Sequence, residues 1–298
     1  MNISLKNILL VLLVAPTLAS CIRDQLEDCP PLRVEIGVKD KNYFNVDRVD
    51  MEQRLPDDLA FREYVPTLFY MLRDAATGEV VEEMGVFDVE GDGKTVALDF
   101  CPCLPHGKYI LTVWGGLKDM SALSDDRLSM TLHPDKVQGD DVYMVNDTLV
   151  YDAYRYDYTV EMERIKGKLV VQAEGLPDNF DLMDIDIDNL YGKVDSHFKY
   201  TMESSVCNKQ DINPVSKVTT ATYLAPSREA KKSTLDVNFF KRKIDSGMSQ
   251  LSPNDVNITI ERNMITMLKY VFNNEEDKFA IYIKVNDNWE IVHGMILD

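Results

Sequence analysis

Apolar and polar residues alternate along most of this chain, in short runs. Leu32, Val34, Ile36 and Val38 occupy every second position, the period that turns one face of a strand to a core and the other to water. Comparable runs occupy 65–72, 95–100, 109–114, 168–173, 183–188, 218–224, 235–240, 256–261, 279–285 and 289–297. Turn formers bound many of them, such as Gly91-Asp92-Gly93 and Asn286-Asp287-Asn288. Helical spacing is scarce. Segments 120–128, with Asp119 or Ser121 as cap, and 263–272 predict short helices. Many short strands separated by turns predict an all-β chain built from sandwiches.

At 298 residues the chain is long for one core and comfortable for two. The stretch 140–158 is acidic and rich in tyrosine, and a fresh pattern starts at Val160. This places one sandwich at 32–159 and a second at 160–298. No sequence repeat relates the halves, so any duplication between them is structural.

The first residues read differently. Lys6 precedes the apolar run Ile8 to Ala15, followed by small residues up to Cys21. A spanning helix needs about twenty apolar residues, so 1–20 is expected to be a signal peptide and not a membrane anchor. Leu18-Ala19-Ser20-Cys21 resembles a bacterial lipobox. That makes Cys21 the expected acylated N-terminus of the mature chain, followed by a tether over 21–31. Each buried CH₂ of an acyl chain contributes about 0.8 kcal/mol, so two or three chains hold a soluble body on a membrane. The acidic flank Asp24, Glu27 and Asp28 is similar to surface-export signals of some lipoproteins, so the expected location is the outer membrane, facing outward.

Charge narrows the function classes. Lys and Arg number 32 against 50 Asp and Glu, a net charge of −18. Nucleic-acid binders carry basic stripes, so none is expected as a partner here. With 45% apolar residues the chain can build a core and is not disordered.

Candidate chemistry is sparse. Gly93-Lys94-Thr95 ends like a phosphate-binding loop, but Asp88 stands where that loop needs glycine, so the segment reads as a hairpin turn. Asp184, Asp186 and Asp188 have the spacing of the first ligands of a calcium loop. Asn189 and Asp195 then replace the glycine and the bidentate glutamate it requires. The same residues alternate with Met183, Ile185 and Ile187, which also suits a strand with its acids in water. His106, His133, His197 and His293 are scattered and read as surface or strand-end residues. No catalytic motif and no cofactor site are expected.

Besides Cys21 the chain holds Cys29, Cys101, Cys103 and Cys207. An exported chain meets an oxidising compartment. A disulfide from Cys29 to Cys101 or Cys103 is the expected staple, closing a loop of about seventy residues and contributing roughly 4 kcal/mol in the loop-entropy view. A metal site on Cys29, Cys101, Cys103 and a histidine is the alternative, although one intervening residue is short for a zinc knuckle.

The lipobox cysteine, the acidic flank, Asp28-Cys29-Pro30 running into a strand, and Leu104-Pro105-His106-Gly107-Lys108-Tyr109-Ile110-Leu111-Thr112-Val113-Trp114-Gly115-Gly116 together resemble the FimB-like fimbrial anchor-subunit family of Bacteroides-type bacteria. The run from Arg164-Ile165 to Gly175-Leu176 is similar to that family's second-domain opening, while His106 departs from the small residue expected there. The resemblance implies two tandem transthyretin-like β-sandwiches and a lipid-tethered base that binds fimbrial stalk subunits by strand exchange. The expected role is to tether fimbriae to the outer membrane and to end or regulate their assembly. The final strand-like run 289–297 has no extension behind it in this sequence, as expected of a terminal subunit, with the alternative that this last strand is itself the donor. Tyr109 and Trp114 point to opposite faces of one strand and read as core. The rival expectations are a glycan- or ligand-binding surface lipoprotein, with tyrosines 151–158 as an aromatic platform, and a fimbrial tip subunit. Ile22 to Asp28 give a tether of at most roughly 25 Å.

Overall fold

The alternating runs become strands in the computed structural model, which describes residues 30–49, 53–178, 180–212, 217–228, 232–241, 250–285 and 287–293. Residues 1–20, expected to be a signal peptide, together with Cys21, Cys29 and residues 294–298, lie outside the described residues.

The first half contributes β1 (Arg33–Val38), β2 (Thr67–Asp74), β3 (Val80–Asp88), β4 (Val96–Asp99), β5 (Gly107–Gly115), β6 (Ser129–Thr131), β7 (Tyr143–Tyr151) and β8 (Asp157–Arg164). Seven of these curl into one sheet in the order β3-β2-β5-β7-β8-β1-β4. Val34, Ile36, Leu72, Leu111, Val113 and Met162 close its core.

The second half adds β9 (Gly167–Glu174), β10 (Leu182–Asp195), β11 (Tyr200–Asp211), β12 (Lys217–Leu224), β13 (Ser233–Phe240), β14 (Gln250–Leu251), β15 (Val256–Ile258), β16 (Ile265–Asn273), β17 (Lys278–Val285) and β18 (Asn288–His293). One sheet runs β11-β10-β13-β14, with β15 on β13 and β6 on β10, and the other runs β12-β9-β16-β17-β18. Leu169, Ile185, Ile187, Leu235, Phe239 and Tyr270 fill the space between them. The fold is therefore two tandem β-sandwiches. Their openings correspond: β1 lies between antiparallel β4 and parallel β8, and β9 between antiparallel β12 and parallel β16. The duplication survives in topology without a repeat in sequence.

Both expected helices are corrected. Segment 263–272 is strand β16, with Ile265 and Met267 on one buried face and Leu268, Tyr270 and Phe272 on the other. A strand buried on both sides carries apolar residues without strict alternation and so imitates helical spacing. Segment 120–128 is a loop of turns. Asp119 Oδ1 accepts from Ser121 N at 2.8 Å and Asp126 Oδ1 from Leu128 N at 3.1 Å, local bonds that compete with a helix ladder.

The expected boundary at 159/160 also moves. The tyrosine-rich run is no linker: it forms β7 and the start of β8, and β8 pairs with β1 from Arg33↔Asp157 to Val38↔Met162. The chain crosses to the second sandwich at Ile165-Lys166.

The two halves share a core. Phe69, Met71, Trp114 and Met144 leave the outer face of the first sheet and pack with Leu123, Met130 and Leu132, then with Ile165, Val194 and Ala225 of the second half. Trp114 is fully buried, and its indole N–H donates to Arg127 O at 2.9 Å. Its burial agrees with the sequence reading, but its place is the joint between sandwiches. Across that joint β6 pairs with the last three residues of β10, Lys193↔Thr131 to Asp195↔Ser129.

His133, read from sequence as a surface residue, lies in this joint at 4% exposure. Ala225 N donates to its Nε2 at 2.9 Å, which leaves the proton on Nδ1, 3.1 Å from Val137 O. Burial, and then the Lys166 charge, pulls its pKa down to about 3.

Two expectations follow from this packing. Trp114→Ala removes a buried ring from a cluster common to both halves and should cost about 3–5 kcal/mol in urea unfolding. For His133 the folded pKa lies below the unfolded value of 6.5, so the unfolded chain takes up a proton that the folded one refuses. Stability then falls as pH drops below 6.5, by at most about 1.4 kcal/mol per unit. Between pH 7 and pH 5, His133→Gln should lose about 2 kcal/mol less than the unaltered protein, measured by urea unfolding at both values.

Candidate functional site

β8 ends on Arg164, and the strand period turns its side chain into the joint between the sandwiches. A guanidinium there, at 5% exposure, is tolerable only with its charge and donors met. They are met from both halves. Arg164 Nε lies 3.1 Å from each Asp141 carboxylate oxygen, Nη1 donates to Asn263 Oδ1 at 2.6 Å, and Nη2 donates to the Tyr143 hydroxyl. Tyr43 and Tyr143 lie against the guanidinium, their ring centres 4.1 and 4.7 Å from its central carbon, a cation–π arrangement that gains strength out of water. Burial works against the Arg164 charge, and Asp141 with the two tyrosines outweighs it and holds the pKa above its ordinary value.

The second glycine of the Trp114-Gly115-Gly116 run lets Asp141 into place, while the first admits Val65. A Cβ on Gly116, whose φ is +78°, would collide with the Asp141 carbonyl oxygen, and one on Gly115 with Val65. Their absence lets the chain before β7 close against the end of β5.

A second set of contacts straps the halves together. Arg164 N and Arg262 Nη1 donate to Asp40 Oδ2 at 2.9 and 3.1 Å, and Arg262 Nη2 lies 2.9 Å from Glu163 Oε2. Asn45 Nδ2 donates to Ile265 O at 2.8 Å while its Oδ1 accepts from Ile265 N at 2.9 Å. That side chain serves the backbone of β16 as a neighbouring strand would. Tyr43, Val46 and Val49 then cover Val170, Ile265 and Met267 on the outer face of the second sandwich. Lys166 is fully buried, donates to Gln138 O at 2.7 Å, and is pulled down to about 8 by burial against the resistance of Asp141 and Asp140.

A cleft of about 560 Å³ opens beside the joint, lined by Tyr43, Tyr64, Asp140, Asp141, Arg164 and Lys168 among others. Within its lining, Arg164 and Asp141 are paired with each other at 3.1 Å. The arrangement is chemically that of a fastening.

The residues singled out in sequence lie elsewhere. Cys101 and Cys103 are bonded to each other, their Cα atoms 5.2 Å apart across a turn. This corrects the expected staple from Cys29, because the turn already brings the two sulfurs together and neither is left for it. Cys29 itself is outside the described residues. Asp184, Asp186 and Asp188 lie along β10 and not in a loop. The first two lie beside Cys207 of β11. Asp184 faces Lys209 at 3.1 Å, and Asp188 accepts from Thr234 N at 3.0 Å. The Cys207 thiol is pushed up to about 12 by its hydrogen bond to Asp186 and by burial. Tyrosines 151–158 form no flat platform: Tyr151 is buried, Tyr158 bonds Val150 O at 2.7 Å, and Tyr154 alone is 93% exposed. Sequence reading missed the joint residues, although Arg164-Ile165 marked the crossing point between two strand patterns.

No family model matches the sequence, and no curated protein is detectably similar to it. Solved structures are similar in fold. A candidate adhesin from Bacteroides ovatus matches with a TM-score of 0.56 at 14% identity, over 90% of this chain and 96% of that one. A candidate polysaccharide-binding protein from Bacteroides thetaiotaomicron gives 0.53 at 12%, over 88% and 98%. The fimbrial anchor protein Mfa2 from Porphyromonas gingivalis gives 0.52 at 12%, over 87% and 98%. As the motifs led us to expect, the chain has the tandem β-sandwich fold of Bacteroides adhesin and fimbrial anchor structures.

Proposed function

We propose that this chain is a non-enzymatic, lipid-anchored fimbrial subunit that tethers fimbriae to the outer membrane, ends or regulates their assembly, and so supports adhesion. The observation that carries this reading is the shared fold with a fimbrial anchor protein over 98% of that protein's length. The lipobox ending at Cys21 supplies the membrane end. Where the described chain begins, it is held firmly: Tyr151 Oη donates to Pro30 O at 2.9 Å and Arg33 N to Tyr156 O at 2.7 Å. A pull that reaches Pro30 would therefore be carried to β1 by these bonds.

Glycan binding is the second reading, favoured by the likeness to a candidate polysaccharide-binding protein. The burial of Tyr151 weighs against the aromatic platform it called for.

Replacing Cys21 with Ala removes the acylation site. Fimbriae should then appear in the medium instead of on sedimented cells, scored by immunoblot of the two fractions. Fimbriae that stay cell-bound at normal length in that variant would sink the anchoring role.

A further inference from the structure

A sheet edge is an unpaired row of N–H and C=O groups, and folded proteins blunt such edges unless they use them. Among the described residues the three sheets end on β3 and β4, on β11 with the short β6, β14 and β15, and on β12 and β18. All but one are blunted. β4, β6, β14 and β15 have four, three, two and three residues. The pairing of β3 shifts register twice, and the strand carries Glu82 and Glu83. That of β11 shifts once, and the strand carries Glu203 and Lys209. The six-residue β18 carries Glu290 and also pairs with a shift.

β12 is different. Its eight residues, Lys-Val-Thr-Thr-Ala-Thr-Tyr-Leu, pair without interruption with β9, from Lys217↔Glu174 to Leu224↔Gly167. They are rich in β-branched side chains, which suit a strand. Lys217, at the very start and 3.6 Å from Glu174, is its one charge.

The hydrogen bonds also say which backbone groups face outward. Tyr223 N donates to Gln138 Oε1 at 3.0 Å and Lys168 N to Met264 O at 2.9 Å, so this register pair turns its amides away from one another. Antiparallel pairs alternate between bonded and non-bonded. By that parity Thr219 and Ala221 also point their N–H and C=O groups off the sheet. Both residues are exposed, and among the described residues nothing pairs with their backbone.

We propose that β12 is the edge at which this chain takes a strand from its partner: an extended, uncharged or basic segment of the neighbouring fimbrial subunit, paired with the backbone of Thr219 and Ala221. The proposal rests on the anchoring reading above. Backbone pairing supplies affinity in such β-augmentation. A net charge of −18 opposes a second copy of this chain at that edge and favours a basic or neutral segment. The position also suits the transmission of force. From Pro30 the chain enters β1, β1 is laddered to β8, β8 passes through Ile165-Lys166 into β9, and β9 is laddered to β12. A strand on β12 would thus pull on the tether through two ladders and one buried joint.

The test places the photo-crosslinker p-benzoylphenylalanine at Thr219, at Ala221, and at Val81 on the exposed edge β3, in cells making fimbriae. Adducts to the fimbrial stalk subunit are expected from 219 and 221, at least tenfold above those from 81. Ala221→Pro, which lacks the outward N–H, should reduce cell-bound fimbriae at least tenfold, with Ala221→Gly retaining them. Should the proline variant misfold by circular dichroism, the crosslinks decide alone. Stalk adducts from Val81 only, or adducts to a second copy of this chain from 219 and 221, overturn the edge assignment while shedding by Cys21→Ala leaves anchoring intact. No stalk adduct at any position, with fimbriae retained by Cys21→Ala, overturns the anchoring reading and this proposal with it.

Discussion

A charge with nowhere to go but its partners organises this molecule. Arg164 ends the last strand of the first sandwich, nearly buried in the joint, and four side chains drawn from both halves answer it. Stripping one partner from such a group leaves an uncompensated buried charge, which costs about 3–5 kcal/mol. The fixed geometry around it carries other features along. Asp141 needs Gly116 to approach. Asn263, the residue that takes Nη1, stands in a left-handed turn that sets the start of β16. Tyr43 sits on a strap whose Asn45 serves the backbone of β16.

That joint changes what two sandwiches in tandem can do. Many domain pairs meet through small, polar surfaces and move against one another. Here an apolar cluster, a strand pairing of β6 with β10 and the Arg164 network act together. The chain between β8 and β9 is only two residues, both buried. A tether pulled at one end and a partner strand held at the other would therefore work against a body without a slack hinge. In the proposed anchoring role that stiffness would have a use, since slack between lipid and fimbrium would be lengthened before any force was passed on.

The strands that one core and water share were legible in sequence. Residues 32–38 alternate because one side of β1 faces the first core, and 218–224 alternate because β12 is exposed on one side. What escaped the pattern did so for physical reasons. β3 and β11 are edge strands whose side chains are mostly exposed or half-buried; the apolar residues of β3 (Val80, Val81, Met84, Val86 and Phe87) follow no strict alternation and β11 is largely polar, so no apolar period marks either. β16 is buried on both faces and reads as a helix. The joint was hidden more deeply, because Arg164, Asp40 and Arg262 look like three more surface charges in a chain full of them. Only their placement where two strand patterns meet sets them apart. His133 failed for the same reason, as nothing local says that Ala225, ninety-two positions away, supplies its partner.

Native-state hydrogen exchange in rising denaturant tests the claim that the halves stand as one body. With Arg164 in place, amides of β5 and β9 should merge onto one global opening free energy. In Arg164→Met the two sets should separate, with one sandwich opening at lower denaturant than the other. Separate openings in the unaltered protein, or a single opening that persists in the variant, would contradict this account of the joint.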